Sequence, residues 1–234
     1  MKVGIMQPYF IPYIGYWQLL NAVDQYVIYD DVNFIKGGWI NRNKILVNKT
    51  PQYFNIPMLG ASPNKRINEV GVNHDQNIIN KNLRIIEAAY SKAPYFEKVF
   101  PLIEAMLRCG KDDIASYIAL STEIICNYLE IKTKLLISSD IKKNNDLKGQ
   151  DKVLEICRIL NATDYYNAIG GRELYSFAAF EKNGIKLHFL KRNEICYQQF
   201  GEEFYPDLSI VDVMMFNSVE EIKKLLNAYT LIDS

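Results

Sequence analysis

Met6-Gln-Pro-Tyr-Phe-Ile-Pro-Tyr-Ile-Gly-Tyr-Trp-Gln-Leu-Leu20 follows a short apolar strand candidate, Lys2 to Met6. A turn rich in Pro, Gly and Tyr leads into an apolar-periodic stretch that Asp24 ends. A second strand candidate, Tyr26-Val-Ile-Tyr29, then runs into Asp30-Asp31. Strand, loop, helix and strand within about thirty residues is the size of a βαβ unit. Open α/β sheets bind ligands in the loops at the carboxyl ends of their strands. This loop gathers the phenols of Tyr9, Tyr13 and Tyr16 and the amide of Gln7, shaped by Pro8 and Pro12. A turn needed only for geometry does not require that chemistry.

Working outward, residues 44–47 and 52–56 read as a hairpin split by 48–51, and 67–72 as a short strand. Helical periodicity covers 77–90, 102–107 and 114–129, with Asp112 or Asp113 as an N-cap. A strand at 135–138, a helix at 153–160, a strand at 164–168, a helix at 174–182 and a strand at 185–190 follow. The tail, 209–229, is helical with an interruption at Asn217-Ser218. Strands alternating with helices predict an α/β fold with a mixed or parallel sheet. The expectation is one domain over 1–234, opened by a nucleotidyltransferase-like (HUP/Rossmann-like) βαβ unit and carrying a helical insertion at about 75–130. The most polar segment, 140–152, reads either as a mobile loop over a site or as a solvated connection.

Composition narrows the function. Among 234 residues, 27 acidic and 27 basic side chains cancel, which argues against a nucleic-acid or anionic-membrane surface. No run approaches the roughly 18 apolar residues of a membrane span, and no charged n-region with an apolar core opens the chain. Cys109, Cys126, Cys157 and Cys196 are dispersed without a CxxC pair, so they read as reduced thiols, and the expected location is the cytoplasm. His74 and His188 are the two histidines, His188 inside an apolar strand, which disfavours a histidine-based hydrolase or a zinc enzyme.

Four segments carry candidate chemistry. Tyr13-Ile-Gly15-Tyr16 stands where nucleotidyltransferases and class I aminoacyl-tRNA synthetases have a His-x-Gly-His element, which that layout resembles. Glycine admits a phosphate close to the backbone, and the helix N-terminus supplies N–H groups and partial positive charge. Both histidines are replaced by tyrosines, which donate hydrogen bonds but carry protons poorly near neutral pH. Asp30 and Asp31, at a strand end, are candidate bases or metal ligands, so Tyr13, Tyr16, Asp30 and Asp31 form the catalytic set. Lys36 beside Gly37, Trp39 as a stacking face, and Asn41, Arg42 and Asn43 as amide and guanidinium donors form a binding set. Strand alternation puts Asn41 and Asn43 on one face. Gly170-Gly171 with Arg172 is a possible anion cradle at a strand-to-helix junction. The fourth is Tyr205-Pro-Asp-Leu-Ser-Ile-Val-Asp212, in which Ser209 with Asp212 reads as a helix N-cap with an acid in the first turn.

Met6-Gln-Pro-Tyr-Phe10, Pro12-Tyr-Ile-Gly-Tyr16, Ile28-Tyr-Asp-Asp-Val32, Lys36-Gly-Gly-Trp-Ile-Asn-Arg-Asn43, Ala93-Pro-Tyr-Phe96, Ile169-Gly-Gly-Arg-Glu-Leu-Tyr175 and Leu208-Ser-Ile-Val-Asp-Val-Met-Met-Phe-Asn217 together resemble the WbqC-like protein family. The resemblance spans nearly the whole chain, in order. It implies a bacterial protein of O-antigen and related surface polysaccharide biosynthesis, with a glycine (aminoacyl) transferase activity. A departure is Asn82, where the family pattern often has a histidine. The resulting expectation is a transferase acting on a nucleotide-linked sugar, its small-molecule substrates being a nucleotide sugar, an amino acid or both. ATP and magnesium would be its cofactors if it activates a carboxyl. The competing readings are a nucleotidyltransferase-like enzyme releasing pyrophosphate and a non-catalytic sugar- or nucleotide-binding protein. Oligomeric state stays open.

Overall fold

The computed structural model describes residues 1–233. Its strands are β1 (Lys2–Met6), β2 (Gln25–Ile28), β3 (Arg42–Val47), β4 (Thr50–Asn55), β5 (Met58–Leu59), β6 (Gly71–Val72), β7 (Lys134–Ile137), β8 (Asp164–Ala168), β9 (Lys186–Arg192) and β10 (Tyr229–Ile232). Its helices are α1 (Ile14–Asn21), α2 (Gln76–Tyr90), α3 (Phe96–Leu107), α4 (Ile114–Tyr128), α5 (Gly149–Ile159), α6 (Phe177–Lys182), α7 (Ile210–Phe216) and α8 (Val219–Leu226).

β1 is the centre of a six-stranded sheet in the order β7-β2-β1-β8-β9-β10. Numbered within that sheet, the order is the doubly wound 3-2-1-4-5-6. The strands from β7 to β9 are parallel, and β10 runs antiparallel to β9, which makes the sheet mixed. Side chains alternate between two cores. Val3, Ile5, Val27, Tyr165, Leu187 and Phe189 meet α5 and α6 on one face. Tyr26, Ile28, Tyr166 and Leu190 share the larger core on the other, with α1, α4, α7 and α8. The chain leaves β1 toward β2 and β7, then returns to β8 on the other side of β1. That reversal is the topological switch point, where open α/β sheets form their ligand crevice.

The insertion between β2 and β7 is wider than the expected helices. It begins after β2 and adds the β3–β4 hairpin and the β5–β6 pair to α2, α3 and α4. Elsewhere the differences have local causes. α3 starts at Phe96, six residues before the expected helix, and runs through Pro101 in its interior. Residues 67–69 form a 3-10 turn, leaving only Gly71–Val72 extended. Residues 169–174 form another before α6. α8 stops at Leu226, and the tail turns back as β10. Among the described residues, no helix is long and apolar enough to cross a membrane.

The β3–β4 hairpin closes through Asn48 and Lys49, both left-handed at φ 49° and 62°. Such two-residue turns match the twist of paired strands but suit Asn-Gly best. Lys49→Gly should therefore raise stability by up to about 1 kcal/mol, after loss of the Lys49 stem's contact with Gly201. For a chain of this size that is about 2–4 °C in a thermal melt. A lower melting temperature would refute it.

Candidate functional site

A cleft of about 740 Å³ opens at the switch point. One wall is the loop after β1, with Tyr9, Pro12, Tyr13 and Gly15. The hairpin side contributes Trp39, Asn43, Lys44 and Pro51. The ends of β8 and β9 bring Ala168, Ile169, Gly170, Leu190, Lys191 and Arg192, and Tyr205 to Leu208 close the mouth.

The loop after β1 is pinned through its carbonyls. Ile11 sits at φ 36°, a costly conformation for a β-branched residue. Its carbonyl accepts from Asn43 Nδ2 at 3.0 Å and from Ser209 Oγ at 2.7 Å. The neighbouring Pro12 carbonyl accepts from Trp17 Nε1 at 3.0 Å and from the Ile210 N–H at 2.9 Å. Tyr16 Oη donates to the Gln7 carbonyl at 3.1 Å. Ser209 also caps α7, accepting from the Val211 N–H.

These bonds fix where the expected catalytic tyrosines stand relative to the cleft. Tyr16 is buried, its phenol pushed well up by burial, and it holds the loop rather than lining the cleft. Gln7 and Pro8 also stand outside the lining. Gly15 serves its neighbour: a Cβ there would lie 2.5 Å from the Tyr13 ring. The space expected for a phosphate is filled by that ring. Tyr13 itself faces the cleft, its phenol raised by burial and by nearby Asp207 against the opposing pull of Arg192. It is therefore a hydrogen-bond donor at neutral pH.

Trp39, 42% exposed, borders the cleft. The Arg42 guanidinium lies 4.7 Å from the Tyr53 ring centroid and 6.0 Å from that of Trp39. Arg42 donates to the Gly38 carbonyl at 3.0 Å and to that of Gly37, so it braces the turn, and it stands outside the lining of this cleft. Asn41 ties the hairpin to the Ile56 carbonyl at 3.1 Å. Lys36 is exposed and outside the lining. Of the glycine corner only Gly170 opens onto the cleft, with nothing near its missing Cβ. Gly171 instead packs against Asn167 Oδ1, and Arg172 points elsewhere in the sense that it does not line the cleft.

Asp30 and Asp31 lie outside this cleft. Asp31 accepts from Lys143 at 2.8 Å, Lys152 at 3.0 Å and Ser138 Oγ at 2.8 Å, all buried with it. Burial by itself would raise its carboxyl, and the hydrogen bonds from Lys143, Ser138 and Lys152 overcome that and hold it below the usual carboxylate range. Asp30 accepts from Ser139 N–H and Oγ and from Asn68 Nδ2, and borders a separate cleft of about 710 Å³ between α4 and β7. Both carboxylates are thus committed to tying β2 to the segment after β7. Lys143 and Lys152 tie two points of the polar segment 140–152 to Asp31.

Sequence reasoning missed Lys44, Lys191 and Arg192 of the lining, and took Tyr205 and Asp207 only as part of a segment that caps a helix. With β9 ending at Arg192, two residues beyond the expected end, Lys191 and Arg192 fall at the carboxyl end of a strand, where ligands are held. Asp212 was also under-read. It is fully buried and accepts from Tyr90 Oη at 2.8 Å, Tyr197 Oη at 2.7 Å and Gln199 Nε2 at 2.8 Å. Burial pushes its carboxyl up, and the three hydrogen bonds only partly offset this. Gln199 in turn holds both backbone groups of Tyr205. Asp212 therefore positions the segment that closes the mouth of the cleft.

The WbqC-like protein family model matches residues 7–224. The chain belongs to this family. The match includes the pinned loop, the hairpin, the glycine corner and α7. A relative within the curated proteins, the uncharacterized protein Rv1507c of Mycobacterium tuberculosis, is 26% identical over 219 residues, covering 92% of this chain and 93% of its own. No solved structure matches. Asn82 is buried and donates to the Asn55 carbonyl at 3.0 Å.

Asp31→Ala should cost about 3–5 kcal/mol, because it leaves two buried ammonium groups unpaired. A depressed carboxyl stabilises above its unfolded value and loses that contribution as pH falls through the folded one. Asp31→Asn should accordingly flatten the loss of stability seen below about pH 4 in denaturant titrations. An unchanged acid limb would contradict the pairing. Tyr90→Phe removes a donor to Asp212 and orphans the Leu46 N–H that bonds to Tyr90 Oη. A loss of about 1–3 kcal/mol is expected in urea unfolding.

Proposed function

We propose that this chain is a transferase that acts on a nucleotide-linked sugar bound in the switch-point cleft. The observation that carries this reading is the pairing of an exposed aromatic face, Trp39, with a cationic wall of Lys44, Lys191 and Arg192 in one cleft. A ring and a diphosphate linked together match that pair of surfaces. The doubly wound strand order supports a nucleotidyltransferase-like ancestry for the β1–α1–β2 unit. Family membership supports a role in O-antigen or related surface polysaccharide synthesis.

In this reading Tyr9 and Tyr13 donate hydrogen bonds, Trp39 stacks on a ring, and Lys44, Lys191 and Arg192 take the charges assigned from sequence to Lys36, Arg42 and Arg172. The group transferred is glycine or another aminoacyl group, moved to an amino sugar. Carboxyl activation through an adenylate would require ATP with magnesium. Asp207 is the single carboxylate of the lining and is paired with Arg192, so magnesium would be held chiefly by the nucleotide's own phosphate oxygens. That same shortage of acid–base groups favours the second reading, a binding protein without turnover.

Thermal melts with UDP-sugars, dTDP-sugars, ATP and glycine, with and without magnesium, test the proposal. A ligand at about 100 times its dissociation constant adds roughly 2.7 kcal/mol. Trp39→Ala should weaken a nucleotide-sugar ligand about tenfold while leaving the unliganded melt unchanged. Stabilisation by no compound would sink the reading. Stabilisation without transfer of glycine to any amino sugar would favour the binding protein.

A further inference from the structure

Arg192 ends β9 inside the cleft, and its guanidinium is already occupied. Nη2 lies 2.9 Å from Asp207 Oδ1, and Nη1 donates to the Asn193 carbonyl at 3.1 Å. Asp207 reaches it from the segment that closes the mouth, at φ 60°, directly after Pro206. Aspartate tolerates this left-handed conformation better than most residues, though it still prefers others. The Asp207 side chain is 53% exposed and that of Arg192 only 22%, so the carboxylate is the solvent-facing partner of a cation set into the wall. Lys44 and Lys191 line the same cleft, and the structure gives neither an acidic partner within ion-pair distance among the described residues.

We propose that Arg192, with Lys44 and Lys191, is the phosphoryl-binding subsite of the cleft, and that Asp207 is a resident counter-ion which the ligand's diphosphate displaces. This rests on the reading of the cleft as the site of a nucleotide-linked ligand. The geometry makes the exchange favourable. A carboxylate offers one negative charge to a site with three cations, whereas a diphosphate offers more charge and paired oxygens that match a guanidinium fork. Exposed ion pairs are weakly held, so displacing Asp207 costs little. Gly170, open beside the end of β9, leaves backbone room for the entering oxygens. The released Asp207 stays at the mouth, beside Tyr13.

Calorimetric titration with inorganic pyrophosphate and with UDP tests this in the full-length chain. Asp207→Asn keeps the backbone preference and removes the charge, and Asp207→Gly suits the left-handed backbone. Both should bind pyrophosphate about two- to fivefold more tightly than the unmodified protein. Arg192→Ala should bind about tenfold more weakly or worse. In the Arg192→Ala background, Asp207→Asn should change nothing, because the pair it relieves is gone. An Asp207→Asn gain that persists without Arg192 would show long-range repulsion instead of displacement and would overturn the proposal. So would pyrophosphate binding that ignores Arg192. UDP affinity that depends on Trp39 but not on Arg192 leaves the cleft reading standing and removes this subsite. Pyrophosphate binding to Asp207→Asn without UDP binding to any variant does the reverse. Failure of both probes on every variant overturns the subsite.

Discussion

The turn at Ile11 is the constraint on which the site depends. A β-branched residue held at positive φ is unfavourable by itself, and the loop keeps this shape because its carbonyls are caught from three directions. Asn43 reaches it from the hairpin, Ser209 from the start of α7, and Trp17 holds the next carbonyl from α1. Segments far apart in the chain therefore meet on two consecutive peptide groups. Asn43 is better understood as a keystone than as a ligand contact, which explains why a polar side chain at the cleft is almost fully buried.

Burial sorts the polar residues into two populations. Asp31, Lys143 and Lys152 neutralise one another away from the cleft, and Asp212 is shared by two phenols and an amide beneath it. These groups hold geometry. The residues left facing the cleft are cations, phenols and one paired carboxylate, a set suited to gripping an anion with a ring attached. Rigidity below and unspent charge above is the arrangement expected of a binding site carried on a scaffold.

Much of the fold was legible because periodicity is local. The β1–α1–β2 unit, α2, α4 and β8 all follow from apolar spacing and caps, as Asp113 shows by accepting from the Ser116 N–H. β10 was not legible: Tyr229 to Ile232 is short, half-buried and continuous with a helical pattern, and only the edge of β9 makes it a strand. The site was half legible for the same reason. Tyr13, Trp39 and Gly170 stood out by chemistry in a loop. Lys44, Arg192 and Asp207 are ordinary residues until topology brings the ends of β1, β8 and β9 together. The partners of Asp30 and Asp31 were not legible, because adjacent carboxylates look alike in a sequence whether they face a ligand or, as here, hold Ser139 and Asn68 in one case and two lysines in the other.

The placement of β1 has a consequence for biogenesis. β1 precedes the other strands of its sheet yet lies at the middle, and its second neighbour, β8, begins only at Asp164. Until then one edge of β1 has no partner, and the Met1 amine and Thr163 Oγ1 that meet at 2.9 Å are separated by 162 positions. Contacts so distant in sequence slow folding through the entropy of loop closure. A nascent chain emerging from the ribosome would keep an unpaired β1 edge until β8 has emerged, the interval in which chaperones have the most to cover.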